Sequence, residues 1–329
     1  MTLRDPAHLS WLAAADRSSP WPQAHVVVAG LGRSGFAAAD ALLELGARVS
    51  VHDEDGDSDA VAERAAILEV LDGRVRLGAD AGESLPADAD LVIASPGWAP
   101  SAPLLAQAVA RGVPVWGDVE LAWRLALPDR QTPWLIVAGT DQTATATRML
   151  ESILRAEGLV ASGVGATGRP VVEALLDGVG YDALAVGLSG AQARWLRTVS
   201  AHSSAVLCAS PGGADLARVY HDVRFAAVYN EEDPATRRMV EDAEVVEGAR
   251  AIGFTTGVPG LSMVGVVDGL IVDRAFIPQR RDSAAEIAKV EDVAPGDVGA
   301  ALAAAALARS FGVSSRAVGD GLRGMTVAL

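Results

Sequence analysis

The sequence predicts an α/β protein made of two consecutive domains, each a largely parallel sheet flanked by helices. Three observations carry the prediction. From His25 onward, short apolar runs alternate with helix-length segments, which is how buried parallel strands joined by crossover helices read. The alternation stops at "ALPDRQTP" (126–133) and restarts at Trp134, as a linker between domains would make it. At 329 residues, half of them hydrophobic and with Gly and Pro scattered, the chain has material for two ordinary cores.

Residues 1–22 read as a lead-in, 23–128 as the first domain and 129–329 as the second. In the first, strands are expected at 25–29, 48–52, 75–77, 91–94 and 113–116, with helices at 34–45, 60–71, 102–111 and 119–125. The second opens with a strand at 134–138 and a helix at 146–157. Further strands are expected near 183–187, 205–208, 226–229 and 251–254. The stretch "SMVGVVDGLIVDRAF" reads as a hairpin turning at Asp268-Gly269. An Ala-rich helix at 298–310 and a short one at 314–322 close the chain.

The formal net charge of −15 argues against nucleic acid or an anionic membrane surface as partner. Lys289 is the one lysine, so any chemistry needing an ammonium must use it. Cys208 is the one cysteine, which forbids an intrachain disulfide and reads as a small core residue. There is no charged-then-apolar leader and no apolar run long enough to span a membrane. The expectation is a cytoplasmic protein. His25, His52, His202 and His221 lack metal-ligand spacing, and "DEDGDSD" (53–59) reads as a solvated acidic turn, so no metal site is expected.

The segment "VVVAGLGRSGFAAADALLELGARVSVHDED" holds Gly30, Gly32 and Gly35 between a strand and a helix, with Asp53 at the end of the next strand. This is a dinucleotide-type fingerprint, and it makes the first domain Rossmann-like. Glycines let main chain approach a diphosphate, and the helix start at Ser34 supplies free N–H groups. The motif does not say which nucleotide binds. Asp53 suits a ribose hydroxyl, and Arg33 is placed to offset the acids around it. After the fourth strand, Ser95-Pro96-Gly97 falls on the same rim, followed by Trp98.

Together, the glycine loop, the S-P-G loop and "GDVELAWRL" resemble the N-terminal domain of the Mur ligases, and most closely their D-glutamate-adding branch. The resemblance implies a UDP-sugar site, with UDP-MurNAc-L-Ala or a related UDP-sugar as ligand. It places Gly30, Leu31, Gly32, Arg33, Ser34 and Gly35 at the diphosphate, Asp53 and Glu54 at the uridine, and Ser95, Pro96 and Gly97 beside the sugar.

The resemblance continues through "WLIVAGTDQTATATRML", which aligns with the family's ATP loop, G-T-N-G-K-T-T. Gly139 and Thr140 match. Asp141 and Gln142 replace Asn and Gly, Thr143 stands at the phosphate lysine, and Ala144 at the metal-binding hydroxyl. Further on, Ala166 stands for an Asn and Gly187 for the Mg²⁺-binding Glu, while Ser189 and Gln192 persist. Gly212-Gly213 replaces an Asp-His pair, and Gly296-Asp297 a His-Asn pair. The segment bearing the family's carbamylated lysine is missing, and the chain stops where the C-terminal ligase domain would begin.

On these losses the expectation is an inactive, MurD-like pseudoenzyme with a degenerate P-loop-like second domain, no catalytic residues and no cofactor. It would bind a UDP-linked cell-wall precursor or a protein partner in a regulatory role. The alternatives are a nicotinamide-type nucleotide protein or oxidoreductase using the glycine loop, a protein-interaction scaffold, and an active D-glutamate ligase.

Overall fold

The computed structural model describes residues 6–126, 132–209 and 213–327. Most of the expected linker, the expected domain boundary at 128/129, and Gly212 lie outside these residues. The chain divides into two compact units. Unit 1 comprises Met1–Gln131, Pro170–Gly178 and Trp195–Thr198; unit 2 comprises Thr132–Arg169, Val179–Arg194 and Val199–Leu329.

Unit 1 begins with 3-10 turns at Pro6–Ala14 and Trp21–Gln23. There follow β1 (His25–Ala29), α1 (Arg33–Glu44), β2 (Arg48–Asp53), α2 (Asp59–Val70), β3 (Arg74–Leu77), β4 (Leu91–Ala94), α3 (Pro103–Ala110), β5 (Val115–Gly117) and α4 (Asp118–Leu125). The sheet runs β3-β2-β1-β4-β5 with every pair parallel. Every residue of β1 (HVVVA) and β4 (LVIA) is buried, because helices cover both faces of a parallel sheet. Strand order reverses between β1 and β4, which opens a crevice at their carboxyl ends. That crevice is where the glycine and S-P-G loops emerge.

Unit 2 contains β6 (Trp134–Ala138), α5 (Thr143–Ala156), β7 (Ala161–Gly165), α6 (Val171–Leu176), β8 (Ala183–Leu188), α7 (Gly190–Ala193) and β9 (Ser203–Val206), although α6 belongs to unit 1 in space. It continues with β10 (Ala226–Asn230), α8 (Pro234–Glu241), β11 (Arg250–Phe254), β12 (Met263–Val267), β13 (Leu270–Asp273), β14 (Ala285–Lys289), α9 (Val298–Ser310) and α10 (Ser315–Val327). The nine-stranded sheet is ordered β14-β13-β12-β11-β10-β9-β6-β8-β7. It is parallel from β7 to β12 and antiparallel across β12, β13 and β14. The hairpin turns at Asp268 (φ 48°) and Gly269 (φ 77°), the pair of left-handed residues a two-residue turn needs. Residues 300–308 of α9 are buried all round; their run of alanines lets neighbours approach closely, and α5 and α10 pack beside the helix.

One buried charge closes unit 1. Glu120 on α4 is fully buried. Its carboxylate accepts from Arg124 Nε (2.7 Å), the Arg197 N–H (2.7 Å), the Thr198 N–H (3.0 Å) and the Thr198 hydroxyl (2.7 Å). The Arg124 guanidinium also donates to the Ala13 carbonyl at 3.0 Å and lies 4.3 Å from the Trp116 ring centroid. A carboxylate out of water needs this degree of satisfaction.

Several elements of unit 2 depart from the sequence expectation. Helix α5 begins at Thr143, three residues early, because Gln142 takes the left-handed turn that starts it. Strand β9 lies at Ser203–Val206, two residues early. Strands β7 (ASGVG) and β14 (AEIAK) were not expected, since neither has a run of β-branched or aromatic residues.

Candidate functional site

In unit 1 the loop after β1 is shaped by contacts that exclude side chains. Gly30 has φ +105°, and a Cβ there would lie 2.8 Å from Ser95 Cβ and 3.0 Å from the Trp98 indole nitrogen. A Cβ on Gly35 would lie 1.9 Å from the Gly30 carbonyl oxygen. Gly32, the N-cap of α1, has nothing within 4 Å of where its Cβ would be. Two glycines therefore pack the loop against the S-P-G segment, and the third leaves the start of α1 open. The Gly30 N–H donates to the His52 carbonyl (2.8 Å), the Ser95 N–H to Ala29 (2.9 Å) and the Ser95 hydroxyl to Gly30 (3.3 Å).

Asp53 is drawn into the same scaffold. Its Oδ2 accepts the Leu31 N–H and its Oδ1 the Asp55 N–H at 2.8 Å. The ribose role read from sequence thus falls on a carboxylate that already holds the glycine loop. Arg33 and Gly97 are exposed, Ser34 and Pro96 half-buried, and Ser95 buried. Glu54 is exposed and lies with Trp98 against Gly82, where a Cβ would meet both. Gly82 joins this rim without any motif to mark it in the sequence. His52 is buried and its Nδ1 pairs with the Ala81 carbonyl at 2.8 Å. Burial holds its imidazole below the ordinary 6.5, with Arg76 acting the same way and the Ala81 bond opposing.

In unit 2 the corresponding loop, 139–142, joins β6 to α5. The Thr140 N–H donates to the Cys208 carbonyl (3.3 Å), and the Thr140 hydroxyl lies 3.2 Å from Cys208 Sγ. Asp141 Oδ1 accepts the Gln142 N–H at 2.8 Å, and the Thr143 hydroxyl donates to the Gly139 carbonyl at 3.3 Å. Ala144 is half-buried in the first turn of α5. Gly187 on β8 is tightly packed: a Cβ would lie 2.5 Å from Thr147 Oγ1 and 2.7 Å from Ala166 Cβ. Ser189 and Gln192 form the capping box of the short α7. What this loop offers a ligand is main-chain N–H at a helix start.

Among the described residues, no group of three or more His, Cys, Asp or Glu side chains gathers to hold a metal ion. Among them too, no helix is long and apolar enough to cross a membrane.

With the geometry in place, comparison with known proteins supplies the context. Residues 24–117 match the family described as Mur ligase MurD-like, N-terminal domain. The chain is 49% identical over 318 residues to the UDP-N-acetylmuramoylalanine--D-glutamate ligase of Streptomyces coelicolor, covering 92% of this chain and 67% of that one. It is 46% identical over 314 residues to the enzyme of the same name from Thermobifida fusca, covering 91% and 66%. Among solved structures, it resembles the UDP-N-acetylmuramate:L-alanyl-gamma-D-glutamyl-meso-diaminopimelate ligase from Neisseria meningitides, with a TM-score of 0.58 at 15% identity. That match covers 91% of this chain and 97% of that one. The last likeness speaks for the fold, a pair of Mur-ligase-type α/β domains.

These relatives overturn the expectation of an inactive chain. The pseudoenzyme reading and the degenerate-loop label rest on replaced side chains (Thr143, Ala144, Ala166, Gly187 and the Gly212-Gly213 and Gly296-Asp297 pairs) and on the expected absence of the carbamylated-lysine segment and of a C-terminal domain. Relatives nearly half identical along nine-tenths of the chain are named as ligases, and of the alternatives the active D-glutamate ligase is the one they favour. Physically, replaced side chains remove some ligand contacts and leave others in place. The main-chain N–H groups of a strand-turn-helix frame do not depend on side-chain identity.

Proposed function

Because this chain belongs to the UDP-N-acetylmuramoylalanine--D-glutamate ligases of the Mur family, we propose that it joins D-glutamate to UDP-N-acetylmuramoyl-L-alanine in a reaction driven by ATP. The single observation that carries this is the 49% identity, sustained over 92% of the chain, to a relative of that name. Amide formation needs the acceptor carboxylate activated, which a phosphoryl group from ATP supplies, and phosphate leaves when the amine attacks.

In this reading the UDP-sugar lies on the rim of unit 1. The main chain of Gly30, Leu31, Gly32, Arg33, Ser34 and Gly35 faces the diphosphate. Asp53 and Glu54 border the uridine, and Ser95, Pro96 and Gly97 border the sugar. Support comes from the open N-cap at Gly32 and from the packing of Gly30 and Gly35 against Ser95. The ATP phosphates meet the loop of Gly139 and Thr140 and the first turn of α5 at Thr143 and Ala144. With no ammonium in that turn, their contacts are main-chain N–H bonds. Gly187 serves packing in this reading, since its neighbours fill the space a side chain would need.

The test is phosphate release on mixing the protein with UDP-MurNAc-L-Ala, D-glutamate, Mg²⁺ and ATP. Release that requires both the UDP-sugar and D-glutamate is expected; none above a protein-free blank at saturating substrates overturns the proposal. Binding is tested separately. UDP-MurNAc-L-Ala should raise the melting temperature with micromolar affinity, about −8 kcal/mol. Gly32→Asp should remove that rise by placing a carboxylate at the open N-cap, while the fold survives because nothing lies within 4 Å of the new Cβ.

A further inference from the structure

We propose that Gln142 is a positioning residue that pins the phosphate loop of unit 2 to the turn preceding α9, and so holds the loop in the shape that receives ATP. Five non-glycine residues among those described have positive φ: Asp72, Gln142, Asp222, Ser262 and Asp268. The other four are short polar residues, three of them aspartate, a type that enters the left-handed region more readily than most. Gln142 (φ 57°) is the one long side chain in the set. Its backbone conformation has an unfavourable intrinsic energy and persists where surrounding contacts over-determine it.

Those contacts are present on both sides. The Gln142 N–H is taken by Asp141 Oδ1 at 2.8 Å. Its side-chain Nε2 donates to the Gly296 carbonyl at 2.5 Å and lies 3.3 Å from Asp297 Oδ1. Gln142 is the N-cap of α5 and Asp297 the N-cap of α9. One side chain thus ties together the starts of two helices, across 154 residues of sequence. A glycine would adopt the same backbone freely and would leave the loop untethered. The tether therefore does more than permit the turn: it fixes the direction in which the first N–H groups of α5 point. Catalytic and phosphate sites depend on that kind of fixed geometry.

This inference rests on the assignment of the loop to ATP, and the experiment separates the two. Gln142→Glu keeps the shape of the side chain but cannot donate, and it faces Asp297. Gln142→Ala removes the tether without adding charge, which guards against misfolding of the first variant. Amide hydrogen exchange over residues 140–146 should quicken about tenfold in both. The KM for ATP should rise by a similar factor, while the KM for UDP-MurNAc-L-Ala and the melting temperature move little. Unchanged exchange in both variants overturns the tether. Exchange that quickens with an unchanged KM for ATP overturns its positioning role. Exchange that quickens when neither wild type nor variants release phosphate supports the tether and rejects the ligase reading instead.

Discussion

Two loops in this molecule share one plan, a buried strand running through a short turn into a helix, and they hold it by opposite means. After β1, the turn is shaped by the absence of side chains on its own residues: Gly30 and Gly35 let Ser95, Trp98 and the loop's own carbonyl close in, and the side chains that bond to it, Asp53 and Ser95 among them, come from outside it. After β6, it is fixed by their presence: Asp141, Gln142 and Thr143 each hydrogen-bond to backbone within or beside the loop. A glycine-built turn is rigid by exclusion and fails by steric clash. A side-chain-built turn is rigid by bonding and fails by loss of a partner.

The largest test of this contrast sets Gly35→Ala against Gly139→Ala. The first drives a Cβ to 1.9 Å from a carbonyl oxygen, and the expected loss is about 3 kcal/mol or more. The second places a Cβ 3.2 Å from Leu207 Cβ and 3.3 Å from the Asp141 carbonyl, which small shifts relieve at about 1 kcal/mol. Denaturant unfolding measures both, and equal losses would break the contrast. Next, Thr143→Lys adds an ammonium to the loop that relies on hydrogen bonds, at the position of the family's phosphate lysine. It should lower the KM for ATP about tenfold through a charge-assisted contact; an unchanged KM means the loop does not face phosphate.

The smallest effect is on pH. His52, whose carbonyl holds Gly30, has its imidazole depressed by burial below 6.5. The unfolded chain therefore binds the proton more readily. The stability this residue contributes is complete above pH 6.5 and is lost as pH falls below that value through the folded pKa. His52→Gln should flatten the fall in melting temperature between pH 7 and pH 5. A slope identical to wild type would mean that the buried imidazole does not contribute to the pH dependence of stability.

What could be read from the sequence was what periodicity and local chemistry encode. The buried, largely apolar runs of β1, β4 and β6 and the Asp268-Gly269 turn stand in the chain where the residues place them. The three glycines marked the first loop because their spacing is itself the signal. Asp53 reads from the sequence as a ribose ligand, but its bond to the Leu31 N–H is not legible there, since a carboxylate in sequence does not say which donor it meets. The tether from Gln142 to Gly296 was beyond reach, because both ends look like ordinary turn residues 154 positions apart. The error over activity had another root: the replaced side chains and the helix start are both visible in the sequence, but how much phosphate binding the main chain sustains without those side chains is not.

Glu120 has a consequence for the order in which this protein can be made. Its backbone donors sit at Arg197 and Thr198, so a ribosome has delivered the whole five-stranded sheet, and Arg124, before it delivers the other groups that satisfy the charge beneath it. Until then the nascent first unit carries a carboxylate that must stay hydrated, and α4 cannot settle against its final neighbours. The first unit is therefore complete only once residues 197 and 198 have emerged, and a released chain truncated before residue 197 is expected to carry a protease-sensitive α4 rather than a finished domain.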